Sequence, residues 1–405
     1  MTQPRALVLA IAMVGTSVGA ASTQVLVDSA VGLLERLTTS PLLFQIDGLA
    51  FDANGNLFGA LERDDPTAGV VYINKATGAV TTLVTGIVRA DQIAYHAPSA
   101  TFFVTAESRG PASTTERIYQ VTPSYDNGVP ISAVANSLTT SLTIFGPEGL
   151  VVLDSPYASA AAGDLIVGED AVNGRILTID DTANAGIHTA SILVGAAAAL
   201  DRPEGFAFGD FAGTVAASLY VAETNDNNVL AVASDGTVTP FGVPSAVVLT
   251  APDNLEFGPD GLLYVTEDRA GSLGRIIRIA SDGTHEVFAT GFNLPQGLIF
   301  DSNGALYISE QGTNSIYRVT FAPIEPPCLL PDTDLFLEDW LIDMTEVFEA
   351  CNSITAGPNF RIVAPGGDVT LRTGNTVVLA NGVSVDSGAR LTIQLDPFVG
   401  LFLNP

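Results

Sequence analysis

The chain repeats itself, and no other feature limits its fold so tightly. Six segments superpose on their opening turns: IDGLAF at Ile46, ADQIAY at Ala90, PEGLVV at Pro147, PEGFAF at Pro203, PDNLEF at Pro252 and PQGLIF at Pro295. Each leads through a turn such as DANG, GPDG or DSNG into a second apolar run, for example NLFGALE, LLYVTE or ALYISE. A third run (VVYIN, RILTI, IIRIA, SIYRV) and a fourth (AVTTLVTG, HEVFATG) complete a copy. Four short runs bounded by turn residues, with no helical period between them, predict an antiparallel meander. Repeated about every 40 to 55 residues, that meander is the blade of a β-propeller.

The sixth copy stops after its third strand, at IYRVTF before the Pro-rich APIEPP. Its missing fourth strand is expected in GLLERLTTS, residues 32–40, upstream of the first copy. Pairing the two ends closes the ring and removes free strand edges. The expected fold is therefore all-β, a six-bladed propeller closed by an N-terminal strand. The second copy, with its long VTPSYDNGVPISAVANSLTT, is the weakest match; were it an insertion, five blades would remain. After Pro327 short β-rich runs alternate with Gly and Asn every ten to fifteen residues or so, which predicts a small β-solenoid-like domain of stacked rungs, with a small β-sandwich as the alternative. The division read from the sequence is a signal peptide at 1–20, the propeller at 23–322, a Pro-rich linker at 323–334 and the rung domain at 335–405.

The 405 residues carry 16 Lys and Arg against 44 Asp and Glu, a formal net charge of -28. Such a surface repels phosphate backbones and attracts cations, which argues against a nucleic-acid partner. Residues 1–22, MTQPRALVLAIAMVGTSVGAAS, have a basic residue, an apolar run and small residues near Ala20, the layout of a cleavable export signal. The alternative, a short membrane anchor, needs a longer apolar run than this one, and no later segment is long and apolar enough to span a bilayer. The expected location is secreted, periplasmic or cell-surface. Cys328 and Cys351 are the only cysteines. In an oxidising compartment they read as one disulfide, with a reduced pair of buried thiols as the alternative.

Each copy places an acid or amide at the second position of its opening turn: Asp47, Asp91, Glu148, Glu204, Asp253 and Gln296. An acid also closes each second strand: Glu62, Glu107, Glu169, Glu223, Glu267 and Glu310. The start of one strand and the end of its antiparallel neighbour share an edge, so both sets are expected on one face of the disc. The first set should ring the central channel, with the second set about 5 Å further out. Like charges so close call for a cation among them. An all-oxygen donor set suits Ca2+ first and Mg2+ second, whereas zinc or copper would want imidazole or thiolate. For the Glu62 set a structural duty, accepting backbone N–H groups of the adjoining turn, is the competing reading.

On these residues the sequence resembles the SMP-30/gluconolactonase and NHL-repeat class of six-bladed propellers, through PDNLEFGPDGLLYVTE and PQGLIFDSNGALYISE, over residues 23 to about 322. The resemblance implies a divalent metal in the channel, with Asp47, Glu204 and Asp253 as ligands and Asp253 as the catalytic base. It also departs from the lactonases: their EGPxW opening is IDGLAF here, and their usual Asn ligand is Glu204. The C-terminal segment resembles the short β-rung domains appended to secreted bacterial proteins. His96, His188 and His285 fall outside both acidic sets and are expected at turns or on the surface. The function expected is an exported, cation-binding propeller that recognises a small, sugar-derived or polymeric ligand at its acidic face. The alternative is a metal-dependent hydrolase of a lactone or similar ester.

Overall fold

A computed structural model describes residues 26–27, 32–107, 117–180, 187–196, 200–211, 217–242, 247–321 and, with short interruptions, 334–395. The expected signal stretch, Cys328 and Cys351 lie outside the described residues. Six four-stranded antiparallel sheets follow one another along the chain. Their innermost strands are Ile46–Phe51, Ala90–His96, Pro147–Val152, Pro203–Gly209, Pro252–Phe257 and Pro295–Phe300. We number the blades 1 to 6 in that order. Each innermost strand touches the innermost strand of the blade before and after it, and that of blade 6 touches that of blade 1. The ring is closed, and the fold is a six-bladed β-propeller.

Closure uses the strand the sequence predicts. Gly32–Thr39 pairs antiparallel with Ser315–Phe321, from Gly32 opposite Phe321 to Thr39 opposite Ser315, and so completes blade 6 from the other end of the chain. Arg36 ties the joint further by donating from Nη2 to the Tyr317 hydroxyl at 2.8 Å. Leu26–Val27 adds a short fifth strand to the outer edge of blade 5, a pairing absent from the sequence reading. Blade 2 is complete: its long insertion-like stretch is the hairpin of Arg117–Asp126 and Val129–Ser137.

Burial falls off outward from the second strand. Leu57–Leu61, Leu263–Glu267 and Leu306–Glu310 are buried at every position, as expected of strands covered on both faces. Outer strands such as Val80–Thr85 alternate or lie open. The core is divided into six apolar wedges, one at each blade boundary. At the boundary of blades 1 and 2, for instance, the Phe58 and Phe102 rings lie 4.2 Å apart. At the closing boundary Leu43, Ile46 and Leu61 of blade 1 pack on Tyr307 and Ile316 of blade 6. The hairpins between first and second strands explain their DxNG pattern. Asp52 Oδ1 accepts from the Asn54 and Asn56 N–H groups, Asp301 Oδ1 does the same for Asn303 and Ala305, and Gly55 and Gly304 take left-handed φ values of 75° and 80°.

Beyond the propeller, strands from residue 334 onward pair in parallel rather than antiparallel fashion, forming three three-stranded sheets. Asp334–Leu337 pairs with Ser353–Ala356 and that with Thr376–Leu379, while Thr345–Ala350, Asp368–Thr373 and Arg390–Leu395 pair in the same succession. Ile342, Ile354, Phe360, Ile362, Val369 and Leu371 share one small apolar core there. Among the described residues no helix is long and apolar enough to cross a membrane.

The closing strand makes the ring continuous, so a chain beginning at Pro41 exposes the whole edge of Ser315–Phe321. We expect it to lose roughly 2 kcal/mol from the half-buried Leu34 and Leu37 alone, and to aggregate through the bared edge. A denaturant midpoint equal to that of the full chain would show that closure contributes nothing.

Candidate functional site

A local irregularity common to all six blades aims the first acidic set at the axis. In blade 1 the register against the second strand skips between Ile46 and Leu49, and the same skip recurs at the matching place in every blade. Each innermost strand thus opens with a one-residue β-bulge, a device that re-aims a side chain. The residue two before the acid has positive φ in every blade: Gln45 54°, Arg89 55°, Gly146 49°, Arg202 58°, Ala251 47° and Leu294 56°. Only one of the six is glycine, so tertiary packing, not residue type, holds this left-handed entry.

The residue after the acid is glycine in four blades, for a steric reason. A Cβ on Gly48 would stand 2.7 Å from the Asp91 carbonyl oxygen, and one on Gly297 would stand 2.6 Å from that of Asp47. Gly149 and Gly205 face the Glu204 and Asp253 carbonyls more tightly still. Blades 2 and 5, opposite one another in a ring of six, carry Gln92 and Asn254 instead. Their buried side chains meet across the axis: Asn254 Nδ2 donates to Gln92 Oε1 at 2.6 Å, and Gln92 Nε2 donates to Asp47 Oδ1 at 3.3 Å.

On this face lies a cavity of about 940 Å³, lined by all six residues of the first set. Nine of its lining residues are Asp or Glu and two are Arg. Asp47 and Asp91 are buried, and Glu148, Glu204 and Asp253 are half-buried. The second set does not behave as one ring. Glu62 and Glu107 line the cavity; Glu169, Glu223, Glu267 and Glu310 do not. Those four accept backbone N–H bonds from Phe145 (2.9 Å), Asp201 (3.0 Å), Thr250 (2.8 Å) and Asn293 (2.8 Å), residues that lead into the innermost strand of the same blade. Glu169 and Glu267 also bind Arg175 and Arg275 through both guanidinium branches. Of the second set, these four take the structural duty set out above rather than joining the first set at the channel: the unpaired amides of the turn outcompete the channel.

Glu62 and Glu107 are held inward by Arg89, a buried arginine that the sequence reading overlooks. Its Nη2 donates to Glu62 at 2.5 Å and pairs with Glu107, and its Nη1 reaches Asp64 at 3.1 Å. Asp170 and Asp268, each the residue after a second-strand Glu, also line the cavity, as do Arg202 and Thr224. Arg202 Nη1 contacts both oxygens of Asp170 at 3.2 Å, and the Thr224 hydroxyl donates to Glu204. A signal for Asp170 and Asp268 was present in GED and TED, but the position after the Glu is Arg63, Thr224 or Gln311 in other blades and so did not register as part of the repeat.

Burial, and then neighbouring carboxylates, raise six of the cavity acids. Asp47, Asp91, Glu148 and Asp253 are pushed well above the usual carboxylate range, Glu204 to about 9 and Asp268 to about 6. The donors suit a hard cation: oxygen atoms of Asp47, Glu62 and Asp91 lie within 4.8 Å of one another, as do those of Glu107, Glu148 and Asp170. Glu148 Oε2 and Asp268 Oδ1 are shut off from solvent without a hydrogen-bond partner, as ligand atoms would be. Asp47, Glu204 and Asp253, the trio implied by the family resemblance, share the cavity wall but do not form such a close group. Of the histidines, His96 and His188 are buried and His285 is half-buried, which corrects their expected surface placement. His96 Nδ1 pairs with the Ser99 hydroxyl, and none of the three lines the cavity.

Because the folded state holds these protons more tightly than the unfolded chain, the cavity acids stabilise cation-free protein most at low pH, and their contribution is lost as pH rises from about 4.5 through about 9, the Glu204 window. Melting curves in EDTA at a series of pH values should show the melting temperature falling across that span, with a shallower fall for Glu204→Gln. A flat or rising profile would contradict the crowding described here.

Neither family models nor curated proteins yield a match to this chain. Solved structures do. A gluconolactonase from Xanthomonas campestris superposes with a TM-score of 0.51 at 14% identity, covering 72% of this chain and 90% of its own. A calcium structure of a Trichoderma reesei enzyme of carbohydrate-active family AA12 gives 0.53 at 13% identity, over 75% of this chain and 98% of its own. A Bacteroides thetaiotaomicron protein of unknown function gives 0.54 at 12% identity, over 72% and 76%. The chain thus shares the six-bladed propeller fold of gluconolactonase-like proteins.

Proposed function

We propose that this is an exported propeller whose acidic cavity binds a divalent cation, Ca2+ before Mg2+, and presents it to a small, sugar-derived or polymeric ligand. One observation carries the reading: nine carboxylic residues face one cavity with two arginines to balance them. That arrangement is unfavourable with the carboxylates ionised and unoccupied, and favourable around a cation. Asp47, Asp91 and Glu62 form the primary ligand group, with Glu204, Asp253 and Gln296 on the same wall. We further read the parallel strands after residue 334 as stacked rungs of an accessory domain, and Cys328 with Cys351 as its disulfide.

A second reading, a metal-dependent hydrolase of a lactone or similar ester, is favoured by the size of the cavity. About 940 Å³ is far more than a hydrated ion fills and lies in the range of small-molecule sites. When bound, the cation supplies Lewis acidity toward an ester carbonyl oxygen. Asp253 would take the proton of the attacking water, its raised basicity suiting that task. Arg202, at the cavity wall, would orient an oxygen-rich substrate. The gluconolactonase and the calcium-bearing carbohydrate-active enzyme with the same fold are consistent with either reading.

Thermal unfolding in EDTA and then in excess Ca2+ tests the first reading: saturation at about 100 times Kd should add about 2.7 kcal/mol. No shift on chelation or readdition would end it. A panel of small lactones assayed in parallel tests the second. Metal-dependent turnover that falls at least about 100-fold in Asp253→Asn, with calcium binding retained, would establish the enzyme.

A further inference from the structure

We infer that the cavity holds two cations rather than one, the second bound by Glu107, Glu148 and Asp170 at the junction of blades 2 and 3. The inference rests on the cation-binding reading above and extends it to a site of different composition. A single ion with bonds of about 2.3 to 2.6 Å can touch oxygens no more than about 5 Å apart. The carboxylates of Glu107, Glu148 and Asp170 meet that limit among themselves, as do those of Asp47, Glu62 and Asp91, and no residue belongs to both groups.

Arg89 stands where the two groups meet. Its guanidinium pairs with Glu62 of one and Glu107 of the other. It therefore balances one acid on each side; among the described residues Asp47, Asp91 and Glu148 form no direct ion pair, although Arg89 acts on Asp91 at longer range. Asp170 has Arg202 at 3.2 Å, but the side chain of that arginine is 47% exposed, and an ion pair so open to solvent contributes little.

Glu148 supplies the independent sign of a ligand. Although the residue as a whole is half-buried, its carboxyl group is enclosed by surrounding atoms. Its Oε2 has no solvent contact and accepts no hydrogen bond. The Thr105 hydroxyl donates instead to the Glu148 backbone carbonyl at 2.9 Å. A carboxylate oxygen in that condition costs several kcal/mol unless a proton or a cation meets it. Two neighbouring carboxylates within bonding reach of a common point favour the cation. Hard, oxygen-only donors again select Ca2+ or Mg2+.

Counting tightly bound calcium on the full chain decides the matter. Equilibrium dialysis with metal analysis, at near-physiological ionic strength so that exposed acids are screened, should give two ions per chain. Glu148→Gln, which keeps the shape and an acceptor oxygen, should leave one, and Asp170→Asn should do the same; circular dichroism checks that each variant is folded. Asp91→Asn should remove the other ion and spare this one. One ion in the unaltered chain, or two retained in both Glu148→Gln and Asp170→Asn, overturns the second site while leaving the cation-binding reading intact. No tightly bound ion at all overturns both.

Discussion

Everything distinctive about this propeller follows from crowding at its axis. Six innermost strands converge there, and the backbone carbonyl of each acidic residue presses on the residue after the acid in the blade before it. Where that residue is glycine, a Cβ would collide with the carbonyl. The glycines of the opening turns are thus the hub of the ring, and the bulge beside them turns the acids inward. Fold and charge are inseparable here, since the same two-residue step that lets blades meet also delivers a carboxylate to the channel.

The electrostatic result is lopsided by design of the turns, not by composition alone. Second-strand glutamates in four blades are consumed by backbone amides, and in two of these by a bidentate arginine as well. These pairs hold the loops that frame the mouth. In blades 1 and 2 the equivalent glutamates turn to Arg89 and join the cavity. One six-fold pattern therefore divides into a scaffold part and a cavity part, and a single arginine marks the division.

The repeat made the architecture legible because each blade must bury the same faces in the same order. Even the closing strand was readable, since the sixth copy lacks a fourth strand and GLLERLTT, just upstream of the first copy, resembles the other fourth strands. The first acidic set was readable for the same reason, its members occupying one register position. What the sequence concealed was pairing across distance. Arg89 sits two residues before Asp91, in a position filled by Gln, Gly, Arg, Ala or Leu elsewhere, and only the fold brings it to Glu62 and Glu107. The left-handed φ at that position has no residue signature, because five of its six occupants are not glycine. The histidines were misplaced because a polar residue near a turn reads as exposed, whereas His96 is covered by the blade boundary and paired to Ser99.

The amide pair Gln92 and Asn254 deserves a last physical thought. Four blades leave hydrogen atoms at that level, and two opposed blades send out carboxamides that clasp one another over the midline. A clasp there bridges the axis one residue past the acids. An ion seated among the acids would then exchange by way of the cavity mouth, and a ligand bound above it would slow its release.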